Sequence, residues 1–205
     1  MKLQKLISKL EKHHKKKLDL SLGRTFNLLK KLGNPQDKLK NVITVVGTNA
    51  KASMCYSLKS ILNQAGYKTN LYTSPHLLSY TERYVLDDKE INEEDLIELL
   101  TGVEKTLGDD NATLFEILTC AFLKLAENFK DNVNIIEAGL FHQFDSTNVF
   151  KENLLTLLGV IHLDHLNWLD NKTIDGVIYE KTSALPTSNI FINNQMNSEI
   201  KIKIK

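Results

Sequence analysis

The sequence predicts an α/β fold, a mostly parallel sheet with helices on both faces. Three observations predict it. The strand candidates, such as "VITVV" at Val42–Val46, are short apolar runs with little alternation, the pattern of strands covered on both sides. Segments of helical periodicity separate these strands, and such crossovers make parallel, right-handed connections. The first strand then runs through "GTNAKAS" straight into a helical pattern, the layout of a loop that cradles phosphate.

Each element has its own signal. Apolar spacing predicts a helix over about Leu3–Lys12 and another over about Leu22–Leu32, stopped by Gly33-Asn34-Pro35. After the strand Val42–Val46, the apolar positions Met54, Leu58, Ile61, Leu62 and Ala65 predict a helix over about Ser53–Ala65, capped by Gly66. A strand at Thr69–Thr73 leads into "SPHLLSYTER". Asn92 opens a helix to about Leu107, with Asp95 placed for a capping contact, and Thr113-x-x-Glu116 opens the next, to about Phe129. Strands at Val133–Ile136 and Leu154–Ile161, a helix near Lys172–Ala184 and a short strand at Ile190–Ile192 complete the series. The organisation read from this is an N-terminal helical segment, residues 1–40, packing on a phosphate-loop domain, residues 41–195. The polar "NSEIKIKIK" reads as a frayed end over residues 196–205. No internal repeat is visible.

Composition bounds the function. With 205 residues, 42% hydrophobic and 25% charged, the chain reads as a soluble globular domain. Of 26 basic and 25 acidic residues, 12 and 3 fall in the first 40, leaving 14 and 22 in the remainder. That basic arm could attract a polyanion. However, "EKHHKKK" lacks the interleaved aromatics of a single-strand binder and reads as a solvated helix face, so nucleic acid is not expected as a partner. Cys55 and Cys120 lie inside apolar helical patterns without metal-ligand spacing, as reduced core thiols do. No stretch is apolar enough to span a membrane or to serve as a leader, and the expected location is cytoplasmic.

In such a sheet, ligands gather beyond the carboxyl ends of the strands. Those ends deliver "GTNAKAS", "TSPH", "EAGL" and "HLDH", which bring a lysine, hydroxyls, a carboxylate and histidines toward one edge. Lys51 can neutralise phosphate, and a serine near the helix start can ligate Mg²⁺. Gly47 and Lys51 are closer than a strict phosphate loop requires, and an ordinary strand-to-helix turn reads the same way. Glu137 ends a buried strand, where a carboxylate needs a cation; Mg²⁺ and Lys51 both qualify. His162 and His165 flank Asp164 without zinc spacing.

Together these residues carry a resemblance. "NPQDKLKNVITVVGTNAKAS", "GYKTNLYTSPHLLSYTER", "TLFEILTCAFL", "IIEAGLFHQFDSTNVF" and "GVIHLDHLNWLDNKTIDGVIYEKTSAL" resemble, in order, motifs of the dihydrofolate synthase/folylpolyglutamate synthase family of Mur-type ligases. The matches run over roughly residues 18–185. The resemblance implies an ATP-dependent carboxylate–amine ligase with the fold of a Mur-ligase central domain. It phosphorylates a dihydropteroate or reduced folate carboxylate and joins it to L-glutamate in folate biosynthesis. It implies ATP at Gly47, Thr48, Asn49, Ala50, Lys51, Ala52 and Ser53, with Lys51 on the β and γ phosphates. Mg²⁺ is implied at Ser74, Glu137 and His165. Lys181, carbamylated, is implied at a second Mg²⁺, and Lys51, His165 and Lys181 form the implied catalytic set. His76, Asp145 and Asn148 are implied in substrate contact or positioning, and a monomer is implied.

The sequence departs from the family in three places. Ala50 and Ala52 replace loop glycines, and a left-handed conformation at the first costs about 1–2 kcal/mol. "LFHQF" replaces a stretch with a glycine pair and an arginine, putting Phe141, His142 and Gln143 there. The spacing from His165 to Lys181 is one residue longer. The family's second, glutamate-ligase domain has no counterpart in these residues, so a truncated or reduced form that binds nucleotide weakly is expected. The alternative is a non-catalytic nucleotide-binding module with an impaired phosphate loop.

Overall fold

The computed structural model describes residues 2–13, 21–186, 189–194 and 197–204. His14 and Lys15–Lys17 of the basic arm lie outside the described residues, as do Met196 and Lys205 of the expected frayed end. Seven strands form one sheet: β1 (Val42–Val46), β2 (Thr69–Tyr72), β3 (Tyr84–Leu86), β4 (Lys89–Glu90), β5 (Val133–Glu137), β6 (Leu155–Leu158) and β7 (Ile190–Ile192). Their order is β4-β3-β2-β5-β1-β6-β7, with β2, β5, β1, β6 and β7 parallel and β3 and β4 antiparallel.

The three central parallel strands fulfil the expectation from their apolar runs: every residue of β1, β2 and β5 is buried, whereas β6 is half-buried in alternation and β7, at the edge, is exposed. Register pairs Val45 with Glu137 and Val46 with Leu158. The loops leaving β1, β5 and β6 therefore start side by side.

Helices cover both faces. On one side lie α1 (Lys2–Leu10), α2 (Gly23–Lys31), α4 (Glu93–Leu107) and α5 (Leu114–Ala126), sharing a core with Val42, Tyr72, Tyr84 and Ile136. In this core Leu3, Ile7 and Leu10 of α1 are buried, and Lys9 bridges to Glu104 at 2.8 Å. On the other side α3 (Lys51–Gln64) covers Ile43, Val45, Leu71 and Ile135 through Cys55, Met54, Leu58 and Leu62. Ile61, counted in the apolar stripe of that helix, is instead 65% exposed. Further along, α6 (Ile174–Thr182) packs with β6 through Val177 and Ile178. Both cysteines are buried and free.

Two features differ from the sequence reading. The β3–β4 hairpin was not expected, because its signal is an Asp87-Asp88 pair, not the commoner Asn-Gly. Both aspartates have positive φ, 49° and 68°, as a tight hairpin turn requires. Asp88 is held there by the backbone N–H and hydroxyl of Thr69, at 3.0 and 2.7 Å. At the other end, Ser198–Ile204 forms a helix, α7, where a frayed segment was expected. Ile200, 5% exposed, packs with Val46, Leu158, Ile161 and Val177, and Lys203 bridges to Asp175 at 2.6 Å. Alternating lysines concealed one isoleucine with a place in the core.

Candidate active site

The phosphate-type loop leaves β1 at Gly47. A Cβ there would stand 3.1 Å from Gly159 Cα, so two glycines let the β1 and β6 loops touch. Thr48 secures the contact: its N–H donates to Val160 O at 3.0 Å, and its hydroxyl accepts from the His162 N–H at 3.1 Å. Ala50 then adopts φ 63°, ψ 10°, the left-handed conformation, and caps α3. The loop keeps its turn although the glycine is gone, at the strain expected for alanine. Lys51, Ala52 and Ser53 follow as the first helical residues, whose N–H groups have no intrahelical acceptor and face outward at the positive end of the helix. Helix α3 starts two residues before the expected Ser53, so Ala52 sits in helix, where alanine is unstrained.

The second wall comes from β2 and β5. Ser74, just beyond β2, donates its backbone N–H to Glu137 Oε2 at 2.9 Å. Glu137 is 2% exposed, and burial raises its carboxyl above the usual range, opposed by the Ser74 N–H and the Lys51 charge. A buried carboxylate with one N–H partner is under-satisfied and favours a cation. Beyond Ser74 the chain is fixed by Glu82, whose carboxylate accepts from the N–H groups of Leu77, Leu78 and Ser79 at 2.7, 2.8 and 2.7 Å. This holds Arg83 still: its Nε donates to His76 Nδ1 at 3.0 Å, and its guanidinium lies 5.0 Å from the centre of the Tyr80 ring. His76 thus serves as a rest for an arginine.

The third wall is "EAGLFHQFDSTN". Asp145 Oδ2 accepts from the Gly139 N–H at 3.0 Å, and Oδ1 accepts from the Thr147 N–H and hydroxyl at 3.0 and 2.6 Å. Burial nonetheless raises the Asp145 carboxyl above its usual range. Asn148 donates to Ala184 O at 3.2 Å, tying the block to the end of α6.

A cavity of about 710 Å³ joins the walls; its lining includes Lys51, Ser74, Arg83 and His165 together with Leu114, Phe115, Leu140, Phe141 and Phe144. Glu137 reaches it through Ser74. His165, at φ 52°, turns its ring toward Asp164, with Nε2 and Oδ2 3.2 Å apart. Lys181 is the remaining residue of the implied set. It is 1% exposed, does not line the cavity, and donates to Gly47 O at 3.2 Å and Leu140 O at 2.8 Å.

The alcohol of Ser74, the carboxylate of Glu137 and the imidazole of His165 are donors of the kinds that a hard cation accepts. Such a mixed set suits Mg²⁺ that keeps several waters. Among the described residues, no three His, Cys, Asp or Glu side chains gather to hold a metal alone. Arg83, Phe115 and Phe144 were not singled out from the sequence. Arginine directly after a capping box and an aromatic inside "TLFE" were the available signals.

A strand-to-helix lysine loop beside a carboxylate and a hydroxyl, at the carboxyl edge of a parallel sheet, is the layout of an α/β domain with a phosphate-type loop. Comparison makes this more particular: the chain belongs, over the segment it shares with them, to the dihydrofolate synthase/folylpolyglutamate synthase family. It is 37% identical over 163 residues to the dihydrofolate synthase/folylpolyglutamate synthase of Escherichia coli, covering 80% of this chain and 38% of that protein. Identity to its Bacillus subtilis counterpart is also 37%, over 171 residues, covering 80% and 39%. Dihydrofolate synthetase of Saccharomyces cerevisiae is 33% identical over 172 residues, covering 82% and 40%. The chain thus spans about two fifths of the length of these relatives.

Among solved structures, E. coli FolC in complex with DHPP and ADP superposes with a TM-score of 0.87 at 33% identity, covering 98% of this chain and 48% of that one. A Yersinia pestis bifunctional folylpolyglutamate synthase/dihydrofolate synthase complexed with AMPPNP and Mn gives 0.85 at 29%, covering 98% and 49%. No family profile matches the chain. No helix among the described residues is long and apolar enough to cross a membrane.

Proposed function

We propose that this chain binds ATP and an aromatic carboxylic acid of the pteroate or folate type, as part of a ligase that joins the acid to L-glutamate. One observation carries the reading: Lys51, Ser74, His165 and an apolar wall containing Phe115 share one cavity, with Glu137 tied to Ser74. The lysine, serine and histidine in the lining suit a triphosphate, and the aromatic side chains suit a flat ring system.

The chemistry follows from charge. A carboxylate resists attack by an amine because oxide is a poor leaving group. In the first step a carboxylate oxygen attacks the γ-phosphorus, the bond to ADP breaks, and an acyl phosphate forms. The glutamate amine then attacks the acyl carbon, loses a proton, and expels phosphate. Lys51 and the N–H groups at the start of α3 neutralise charge on the moving phosphoryl group. Ser74, Glu137 and His165 would hold Mg²⁺, which would supply further positive charge when bound. Arg83, a cation in the same cavity, is available to the acid's carboxylate.

A second reading, a nucleotide-binding module without ligase chemistry, is favoured by the strained Ala50. Calorimetric titration with Mg·ATP tests the shared part of both readings. Lys51→Ala is expected to weaken binding at least about tenfold, roughly 1.4 kcal/mol. Unchanged affinity in that variant would reject the site. Ligation is then tested with dihydropteroate and L-glutamate, supplying the segment that the longer relatives carry as a second chain. ADP release dependent on both substrates supports the ligase over the module.

A further inference from the structure

We propose that Arg24 is a positioning residue: by gripping Glu116 it fixes the first turn of α5, and that turn presents Phe115 to the acid. The proposal rests on reading the 710 Å³ cavity as the site of the acid. Arg24 meets Glu116 as a fork, with Nε 3.2 Å from Oε2 and Nη2 2.9 Å from Oε1. The two side chains are 19% and 8% exposed. Glu116 is the third residue of α5, and its Oε2 also accepts from the Thr113 N–H at 2.6 Å. Its own N–H donates to the Thr113 hydroxyl at 3.2 Å. One carboxylate therefore closes the helix cap and receives the guanidinium. Arg24, Phe115 and Glu116 all line the cavity.

Geometry and charge both point to the arginine. Helix α2 begins at Leu22 without a side-chain cap, and its buried leucines, Leu28 and Leu29, lie a turn further on. The fork adds a tie at this uncapped end. Behind Phe115 the Tyr72 ring stacks with centroids 6.4 Å apart and planes at 29°, and a Cβ on Gly139 would come within 2.8 Å of the phenyl ring. The ring is thus backed on these sides, and its placement follows the helix turn that carries it. A lysine at residue 24 would keep the charge but offer one ammonium in place of two parallel N–H donors. With no cation there, a buried carboxylate would stand without its counter-charge in the lining of a site for an anionic acid. Loss of Arg24 therefore acts on the acid twice, by repulsion and by releasing Phe115. Lys51 sits at the start of α3, outside this fork, so nucleotide affinity is not expected to follow.

Two measurements on the whole chain test this. In calorimetric titration with 7,8-dihydropteroate, Arg24→Gln is expected to bind at least about tenfold more weakly, while Mg·ATP affinity changes less than about twofold. Arg24→Lys is expected to recover only part of the loss. Equal losses for both ligands, unchanged dihydropteroate affinity, or full recovery with lysine overturns the proposal. Without ligand, amide exchange at Thr113 and Glu116 is expected to speed up at least about tenfold in Arg24→Gln while Ile135, in mid-sheet, is unchanged. Uniform acceleration, or none at Thr113, overturns it as well. If Arg24→Gln does not fold, both readings, with the same deciding results, are taken on Arg24→Met/Glu116→Gln, which buries no unpaired charge and keeps a capping side chain at residue 116. Should the unmodified chain bind no dihydropteroate, the functional reading of the cavity fails. The exchange result needs no ligand and still decides whether Arg24 fixes the turn.

Discussion

Ala50 carries the plainest strain in the site. Its φ of 63° is a conformation that costs a β-carbon-bearing residue about 1–2 kcal/mol, and only glycine escapes it. Ala50→Gly relieves that strain but loosens the unfolded chain, which returns up to about 1 kcal/mol. A net gain of about 0.5–1 kcal/mol in urea unfolding is expected, and a loss would show that the loop has adapted to alanine. Both the alanine and its cost were legible in "GTNAKAS", because a strand followed at once by a helix leaves few conformations for the residue between. The surroundings of Lys181 were not legible. Its neighbours Gly47, Leu140 and Phe141 are distant in sequence, and only folding makes them acceptors and a cover for its amine.

At the scale of elements, glycines decide where loops meet. The turn after β5 passes so close to Asp145 that a Cβ on Gly139 would lie 2.5 Å from Oδ2 and 2.8 Å from the Phe115 ring. Gly139→Ala is therefore expected to cost about 2–3 kcal/mol in thermal or denaturant unfolding, since both the buried carboxylate and the ring must shift. A change below 0.5 kcal/mol, on the order of an ordinary surface substitution, would contradict the packing described. Helix ends were read correctly where side chains mark them. Thr113 and Glu116 form the anticipated capping box, and the Glu116 carboxylate also receives Arg24 at 2.9 Å. The hairpin of β3 and β4 escaped because its turn uses aspartates, and α7 escaped because a helix of lysines and isoleucines looks solvated until its docking surface exists.

Across the whole molecule, buried ionisable groups give stability a pH dependence with opposing slopes. His142 must be neutral when folded, since burial holds its ionisation at about 4 against an ordinary 6.5. As pH falls from 6.5 toward 4, the unfolded chain gains a proton that the folded one refuses, and up to about 3 kcal/mol of stability is lost. Glu137 and Asp145, raised by burial, take up protons in the fold and work the other way in the acid range. The informative quantity is thus the difference between the unmodified chain and His142→Asn. The variant is expected to keep more of its stability at acid pH, and parallel profiles would refute the assignment.

The sequence by itself determined the class of fold, the order of its parallel strands and helices along the chain, and the positions of Lys51, Ser74, Glu137 and His165 at strand ends. Those properties follow from local periodicity and from the rule that such sheets present ligands at one edge. The tertiary structure alone decided which of these groups share the cavity, that Arg83 joins them, and that Lys181 lies sealed behind Phe141. The reason is physical: strand order, the approach of Gly47 to Gly159 and the burial of an amine among carbonyls are long-range contacts. Their energies depend on partners that no local stretch of chain contains.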